Sequence, residues 1–263
     1  EVHPITGLGA VSAVAAAEGE GDGMYDPGPE CADLPGWARN WTCAAWTENR
    51  QTITQVARDM IRDYEPDGLA LDYLRYPNTA VLDTHPCHCE VCQEEREAWL
   101  GKPLPDAEDL ARPGVMYHEV KMRNRFVKTL LHSLREVADD ADLPLSLAAR
   151  ARYLKDAVPE GQDWAEWCQQ GLLDFVCPMS YNPCFERFQR FVAEHRNLVE
   201  DTGVPLYSGI GRSSSLGTIT AEQMEQQIRY ALEHGADGVC IFHVGALEEA
   251  DYEVLARISA DYR

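Results

Sequence analysis

The chain contains 263 residues, of which 45% are hydrophobic and 25% are charged, and its formal net charge at pH 7 is -21. This length is enough for one large α/β domain with its own core. Such an acidic balance argues against nucleic acid or an anionic membrane as a partner, because both require a basic face. No apolar run approaches the roughly 20 residues of a membrane-spanning helix.

The first half of the chain alternates between predicted strands and helices. Residues 1–10 have the pattern of a strand, and a long loop that contains Trp37 and Trp41 follows. Thr47 is predicted to cap an amphipathic helix that stops before Pro66. The remaining elements of this half are a central strand within residues 67–77, a short helix that reaches Trp99, an amphipathic helix over residues 115–138 and a strand over residues 143–149.

The second half continues the same alternation. Its predicted elements are a helix over residues 163–170, a strand over 172–181, a helix over 185–201, a strand over 204–211, a helix from Thr220 to His234, a strand over 237–244 and a helix over 250–262. Strands separated by helices indicate a parallel sheet with right-handed crossovers. The pattern contains six strands, two short of a closed eight-stranded barrel.

Two explanations account for the missing pair of strands. Either the sheet is open or the chain lacks its first two βα units, and we favour the second because the sequence does not begin with methionine. An open barrel would expose the edges of its first and last strands. Such exposure is unfavourable unless something covers these edges, and a homo-oligomer is one arrangement that would do so.

The central strand leads directly into a polar and aromatic cluster. Its apolar residues are too few for a helix and are typical of a buried parallel strand. Because side chains alternate along a strand, Asp72 shares a face with Ala70, and in a barrel this face would point inward. That places Asp72 at the carboxyl end of a strand, where α/β enzymes keep their chemistry. The alternative is that Asp72 only pairs with Arg75 or caps a loop.

A cysteine-rich loop at residues 83–100 contains the densest chemical signal in the chain. Cys87, Cys89 and Cys92 have a spacing typical of zinc ligands. Cys43 is the leading candidate for the fourth ligand, because it should lie at the carboxyl edge of a neighbouring strand. The alternatives are Cys31, His85 and His88, and disulfides or free thiols would replace the metal site altogether. A four-thiolate site has no open coordination position, so the zinc would be structural; no organic cofactor is predicted.

Two resemblances to known families follow from these motifs. Residues 42–50 and 87–93 together resemble the zinc-binding cysteine pattern of glycoside hydrolase family 42 β-galactosidases, which implies that Cys43, Cys87, Cys89 and Cys92 are the zinc ligands. A longer resemblance is to the family-10-like glycosyl hydrolases of bacteria, which are TIM-barrel proteins. It is carried, in chain order, by Asp67 to Pro77, Gln162 to Trp167, Asp174 to Tyr181 and Gly235 to Val239.

The longer resemblance implies that residues 1–263 form a single (β/α)8 TIM-barrel-type domain whose first two strands are missing. It also implies a carbohydrate substrate. Family 42 enzymes have an acid/base glutamate where this chain has Leu74, so only Asp72 is placed as a catalytic carboxyl. Cleavage normally needs a second carboxyl. We expect that group to come from a loop, and the candidates are Asp83, Glu160, Asp163, Glu186 and Glu248.

Residues at the ends of several predicted strands are candidate substrate-binding groups. Arg75 is also expected to keep Asp72 charged by lowering its pKa, which would suit a nucleophile. Arg150 is expected to point into the barrel mouth, and the alternative is a salt bridge with Asp72. His3 and His243 end predicted strands, although a single histidine at such a position is more often structural. Tyr181 resembles a site tyrosine of family 18-like barrels. The complete set is His3, Tyr73, Arg75, Arg150, Tyr181, Asn182 and His243.

Three functions are consistent with these features. The first is a hydrolase of O-glycosidic bonds in an oligo- or polysaccharide, with Asp72 as one catalytic carboxyl. The second is a catalytically degenerate barrel that binds glycan without cleaving it, which Leu74 favours. The third is a phosphate-binding enzyme that uses the glycine-containing segment 209–213 as a cradle, although the acidic charge opposes an anionic ligand.

Overall fold

The computed structural model describes residues 41–78 and 86–262. The chain divides into two compact units, of which the first comprises Glu1–Leu145 with Tyr153–Asp163 and the second comprises Ser146–Arg152 with Trp164–Arg263. The predicted strand at residues 1–10, with His3, lies outside the described residues, as do Cys31, Asp83 and His85. Among the described residues, every helix is too short or too polar to span a bilayer.

Among the described residues, the first unit contains mainly helices, together with one short strand. Its elements are α1 (Thr47–Tyr64), β1 (Leu69–Leu71), α2 (Glu90–Leu100), α3 (Ala107–Leu110), α4 (Pro113–Asp140) and a π-helical turn (Tyr153–Ala157). Helix α1 ends at Glu65, which has a left-handed backbone (φ 45°) just before Pro66. Helix α4 begins with proline in its first turn, where the missing N–H costs no hydrogen bond, and its apolar side packs against α1.

The second unit contains a series of parallel strands separated by helices. Its elements are β2 (Leu145–Ala149), α5 (Trp164–Gln169), β3 (Phe175–Pro178), α6 (Phe185–Val199), β4 (Tyr207–Gly211), β5 (Ser213–Ser214), β6 (Gly217–Thr218), α7 (Ala221–Glu233), β7 (Gly238–Phe242), a 3-10 turn (Val244–Ala246) and α8 (Glu249–Asp261). Strand β2 pairs with β3 and β4 pairs with β7, both in parallel. A parallel bridge between Val176 and Leu206 joins β3 to β4. The order of the parallel strands, β2, β3, β4 and β7, therefore follows the chain, while β5 and β6 form a separate antiparallel pair.

The two faces of these strands have different partners. Ile210 on β4 belongs to a buried cluster with side chains of α6, α7 and α8, including Phe188, Met224 and Val254. The opposite face of β4 carries Gly209 and Gly211. A Cβ atom at Gly209 would lie 2.6 Å from the carbonyl oxygen of Pro178, so close packing of the backbones requires glycine there.

Several predicted strands are longer than the observed ones. The predicted strand over residues 172–181 is only Phe175–Pro178, because the N–H of Leu172 still bonds to the carbonyl of Trp167 and so ends helix α5. The predicted strand over 204–211 begins at Tyr207, beyond Pro205, which has no N–H for a ladder.

The predicted fold is confirmed at the level of a mixed α/β chain with parallel strands. The described residues contain no closed sheet, so the eight-stranded barrel, the single domain over residues 1–263 and the loss of two βα units stay predictions. The helices agree with prediction to within a few residues at most boundaries.

Candidate active site and thiol cluster

Asp72 lies directly after β1, where the chain leaves the strand. Tyr73 has a left-handed backbone (φ 56°), and its N–H donates to Asp72 Oδ1 at 2.8 Å. Asp72 is half-buried, and this burial raises the pKa of its carboxyl above the ordinary value, although the Tyr73 hydrogen bond and the Arg75 charge act in the opposite direction. Arg75 thus lowers this pKa as predicted, but desolvation has the larger effect and the net shift is upward.

Arg75 makes its ion pair with a different carboxylate. Its Nη1 lies 3.3 Å from Oε2 of Glu160, which is fully buried. The guanidinium also lies over the rings of Trp41 and Tyr73, with its central carbon 5.1 and 4.9 Å from the two ring centroids. Glu160 was one of the predicted second carboxyls, but its burial against Arg75 is typical of a structural ion pair.

A small cleft, with a cavity volume of about 60 Å³, adjoins Asp72 within the first unit. Its polar and aromatic lining includes Trp41, Thr42, Asp72, Tyr73 and Arg75, and aliphatic side chains of α1 and α4 complete the wall. The cleft therefore brings three of the predicted site residues, Asp72, Tyr73 and Arg75, to one place.

A second group of predicted residues lies in the second unit, where the strands β3 and β7 end. The ring of Tyr181 stacks on Phe242 with a centroid distance of 5.2 Å and an interplanar angle of 22°. The imidazole of His243 meets the same Phe242 edge-on at 5.1 Å. Phe242 is 44% exposed, so an aromatic surface faces solvent. Phe242 was missed by the sequence analysis, although it precedes His243 at the end of a predicted strand.

Asn182 and Arg150 have structural contacts in the same unit. The side-chain oxygen Oδ1 of Asn182 accepts a hydrogen bond from the N–H of Cys184 at 3.0 Å. The backbone carbonyl of Asn182 accepts another from Nε2 of Gln227 at 2.8 Å. The carbonyl of Arg150 accepts the indole N–H of Trp164 at 3.1 Å. Asn182 is buried, so its predicted role in substrate binding gains no support from its position.

The predicted phosphate cradle is occupied by contacts within the protein. The N–H of Arg212 donates to the carbonyl of Phe242 at 2.7 Å, and the Arg212 guanidinium pairs with the buried Asp251 at 2.9 Å. A Cβ atom at Gly211 would lie 2.9 Å from Cβ of Tyr181. The glycines therefore make room for close packing, and the structure gives no support to the phosphate hypothesis.

A buried histidine connects the segments that follow β2 and β3. His195 Nε2 donates to the carbonyl of Ala151 at 2.8 Å, and its Nδ1 lies 3.3 Å from the hydroxyl of Ser180. Burial lowers the pKa of His195 to about 4, so the ring is neutral at pH 7. His195 is not recognisable as a site residue from the sequence, because a single histidine in an amphipathic helix carries no distinctive signal.

Four cysteines come together in the first unit, and they are the four that the sequence selected. The sulfur atoms of Cys43, Cys87, Cys89 and Cys92 lie within 4.8 Å of one another, and all four residues are buried. From Cys43 Sγ, the distances to the sulfurs of Cys92, Cys87 and Cys89 are 3.7, 3.9 and 3.6 Å. The edge of a tetrahedron with Zn–S bonds of 2.3 Å is about 3.8 Å. The cluster therefore could hold a metal ion and has dimensions compatible with zinc.

The chemistry of the donors also fits a thiophilic cation. Without a metal ion, burial raises the pKa of the Cys87 thiol well above its ordinary value and so favours the protonated form. A bound cation would favour the thiolate instead. None of the described cysteines forms a disulfide. Arg96 supports the loop, since it is buried in an ion pair with Glu119 at 2.6 Å and donates to the carbonyl of Cys87 at 2.6 Å.

No protein-family model matches this chain, and no curated protein matches it. Among solved structures, the glycoside hydrolase domain of PgaB (BpsB) from Bordetella bronchiseptica aligns with a TM-score of 0.67 and 17% identity, over 92% of this chain and 70% of that one. The chain shares its fold with glycoside hydrolases. A GH18 chitinase from Pseudoalteromonas aurantia has a TM-score of 0.51 and 13% identity, over 82% of this chain and 69% of that one.

A third solved structure is the β-galactosidase from Bacillus circulans sp. alkalophilus. It aligns with a TM-score of 0.52 and 15% identity, over 80% of this chain and 36% of that one. At these identities the likeness is one of fold. It confirms the predicted resemblance at the level of glycoside hydrolases, while the family-10-like assignment and the family 42 zinc pattern stay predictions.

Proposed function

We propose that this protein is a glycoside hydrolase that cleaves O-glycosidic bonds of an oligo- or polysaccharide, with Asp72 as one catalytic carboxyl. The observation that carries the proposal is Asp72 itself: a half-buried acid of raised pKa at the carboxyl end of β1, beside a cleft with Trp41 and Tyr73 in its wall. The fold shared with the glycoside hydrolase domain of PgaB and with chitinases is consistent with this chemistry.

The raised pKa supports a role for Asp72 as a proton donor. A carboxyl that holds its proton at higher pH is suited to protonating the leaving oxygen of a glycosidic bond. Such cleavage normally uses a second carboxyl. Among the predicted candidates, Asp163 belongs to the same unit as Asp72, is half-buried and accepts the hydroxyl of Tyr153. It is the first one that we would test.

The aromatic surface of the second unit supports a carbohydrate substrate. Sugar rings present apolar C–H faces that stack on exposed aromatic rings, and the stacked pair of Tyr181 and Phe242 offers such a ring. On this basis Tyr181 and His243 are candidate sugar-binding residues of the second unit. Tyr73 and Arg75 are separate candidates from their place in the wall of the Asp72 cleft. Arg150 stays a candidate from its place at the end of β2.

We further propose that the four-cysteine cluster binds zinc. Cys43, Cys87, Cys89 and Cys92 would be its ligands, and four thiolates leave no open position, so the ion would stabilise the loops and would take no part in the reaction. Zinc held there would cross-link the segments that carry the four cysteines, and Arg96 would support it by holding the carbonyl of Cys87.

A glycan-binding protein without activity is the second candidate. Leu74, where family 42 enzymes have a glutamate, is 8% exposed and offers no proton. In this case the cleft and the aromatic surface would bind sugar, and Asp72 would only hold the loop through the N–H of Tyr73.

The experiment that separates the two candidates measures release of reducing ends from a panel of oligosaccharides that differ in sugar and linkage. We expect Asp72→Asn to lower kcat on the cleaved substrate by about 10²- to 10⁴-fold, while Asp67→Asn, at an exposed position of the preceding turn, keeps wild-type activity. Binding of glycans without any product, unchanged in Asp72→Asn, would establish the binding protein and refute the hydrolase.

A further inference from the structure

The segment 72–78, which we call the Asp72 loop, has no helix or strand of its own. Its backbone is held by two other segments of the first unit. The N–H of Tyr76 donates to the carbonyl of Glu160 at 2.7 Å, and the carbonyl of Leu74 accepts Nε2 of Gln162 at 3.3 Å. The indole N–H of Trp41 donates to the carbonyl of Arg75 at 2.8 Å. The position of Asp72 therefore depends on these two segments.

One of the two segments also carries a member of the cysteine cluster. Cys43 lies two residues after Trp41, and its sulfur is 3.5 Å from the hydroxyl of Tyr76. Tyr76 is 2% exposed and is one of the largest fully buried side chains of the described residues. The Asp72 loop is thus joined to the cluster twice, through Tyr76 directly and through the short stretch from Trp41 to Cys43.

Metal binding fixes the direction of the contact between Tyr76 and Cys43. A thiol can donate or accept this hydrogen bond, but a metal-bound cysteine is a thiolate and has no proton. The hydroxyl of Tyr76 must then donate to the sulfur. Hydrogen bonds of this kind to ligand atoms typically change metal affinity by 10- to 100-fold, so the contact affects both the cluster and the loop.

We propose that Tyr76 is a positioning residue that couples the metal cluster to the Asp72 loop: its hydroxyl donates to the metal-bound sulfur of Cys43, and metal occupancy thereby orders the loop that carries Asp72. The inference rests on the zinc site and on the role of Asp72 proposed above. It adds a regulation of that site, because a chain that has lost its metal would present Asp72 on a less ordered loop.

The first experiment measures the metal and requires no substrate. Full-length wild type, Tyr76→Phe and Tyr117→Phe are loaded with zinc, and release of the ion to a chromogenic chelator is followed. We expect release from Tyr76→Phe to be about tenfold faster than from wild type. Tyr117 is 63% exposed on α4, so Tyr117→Phe should release zinc at the wild-type rate.

The second experiment measures the loop by hydrogen exchange of residues 72–78. We expect exchange to increase when zinc is removed from the wild type and to be raised in zinc-loaded Tyr76→Phe as well. Strand β4, residues 207–211 in the second unit, serves as the reference segment. Its exchange should stay at the wild-type level in zinc-loaded Tyr76→Phe.

Two results would overturn the coupling. One is zinc release and loop exchange at wild-type levels in Tyr76→Phe. The other, which applies even if that variant fails to fold, is unchanged exchange of residues 72–78 after zinc is removed from the wild type. Neither readout depends on hydrolysis: if both effects are found and no glycan is cleaved, the coupling stands and the proposed activity falls.

Discussion

Acidification should destabilise this protein through His195. The ring is 1% exposed, and burial lowers its pKa to about 4, whereas an unfolded histidine has a pKa of about 6.5. The unfolded chain therefore takes up a proton at a pH where the native protein still excludes it. The stabilisation is complete above pH 6.5 and is lost as the pH falls from there to 4. The gap between the two pKa values corresponds to about 3 kcal/mol.

A variant isolates this contribution from that of the other titrating groups. Glutamine at this position could still donate to the carbonyl of Ala151 and accept from Ser180, but it does not titrate. The free energy of unfolding is measured by urea denaturation at several values between pH 4 and 7.5. Between pH 7 and pH 4, we expect the wild type to lose about 3 kcal/mol more than His195→Gln.

A matched control and a clear negative result complete the test. His234 is exposed at the end of α7, so His234→Gln should keep the wild-type pH dependence. If the stability curves of His195→Gln and the wild type run parallel between pH 4 and pH 7, the native ring takes up its proton near pH 6.5. The argument from burial would then be refuted.

Three further predictions concern the cysteines and a buried ion pair. A strong chelator should lower the melting temperature and release one metal ion per chain, and Cys92→Ser should bind no metal, as metal analysis and thermal melting would show. Cys177 donates a hydrogen bond that lowers the pKa of Cys240 to about 7, so Cys177→Ala should slow alkylation of Cys240 at pH 7 roughly tenfold, as measured by mass spectrometry. Asp251→Ala should cost about 3 kcal/mol in urea denaturation, because it removes the buried partner of Arg212 and leaves only the exposed carboxylate of Glu248, 3.6 Å away; Glu249→Ala, at an exposed position, should cost little.

Local patterns in the sequence were sufficient for the helices and for the cysteine cluster. The apolar period of 3.6 residues and the Thr220 cap predicted α7, which has the capping box that its residues indicate. The spacing of three cysteines within six residues, with Cys43 as the fourth, predicted the set that the structure brings together. Such features depend on neighbours in the chain or on a motif whose members have one dominant chemical use.

The properties of the site residues depended on contacts between distant parts of the chain. The alternation of side chains was enough to place Asp72 at the end of a strand. The direction of its pKa shift could not be predicted in this way, because burial is decided by packing. The partner of Arg75 is Glu160, 85 positions away, and no local pattern connects them. Phe242 became a candidate only when its ring was found stacked on Tyr181.

The sequence by itself determined the alternation of strands and helices, the acidic charge, the four cysteines of the cluster and the location of Asp72 after a strand. Periodicity, composition and ligand spacing are all local in the chain, so they can be interpreted without coordinates. The tertiary structure alone decided which charges are paired, which way burial moves each pKa, and that Tyr76 joins the thiol cluster to the Asp72 loop. These are consequences of desolvation and contact, which arise only when segments far apart in the chain pack together.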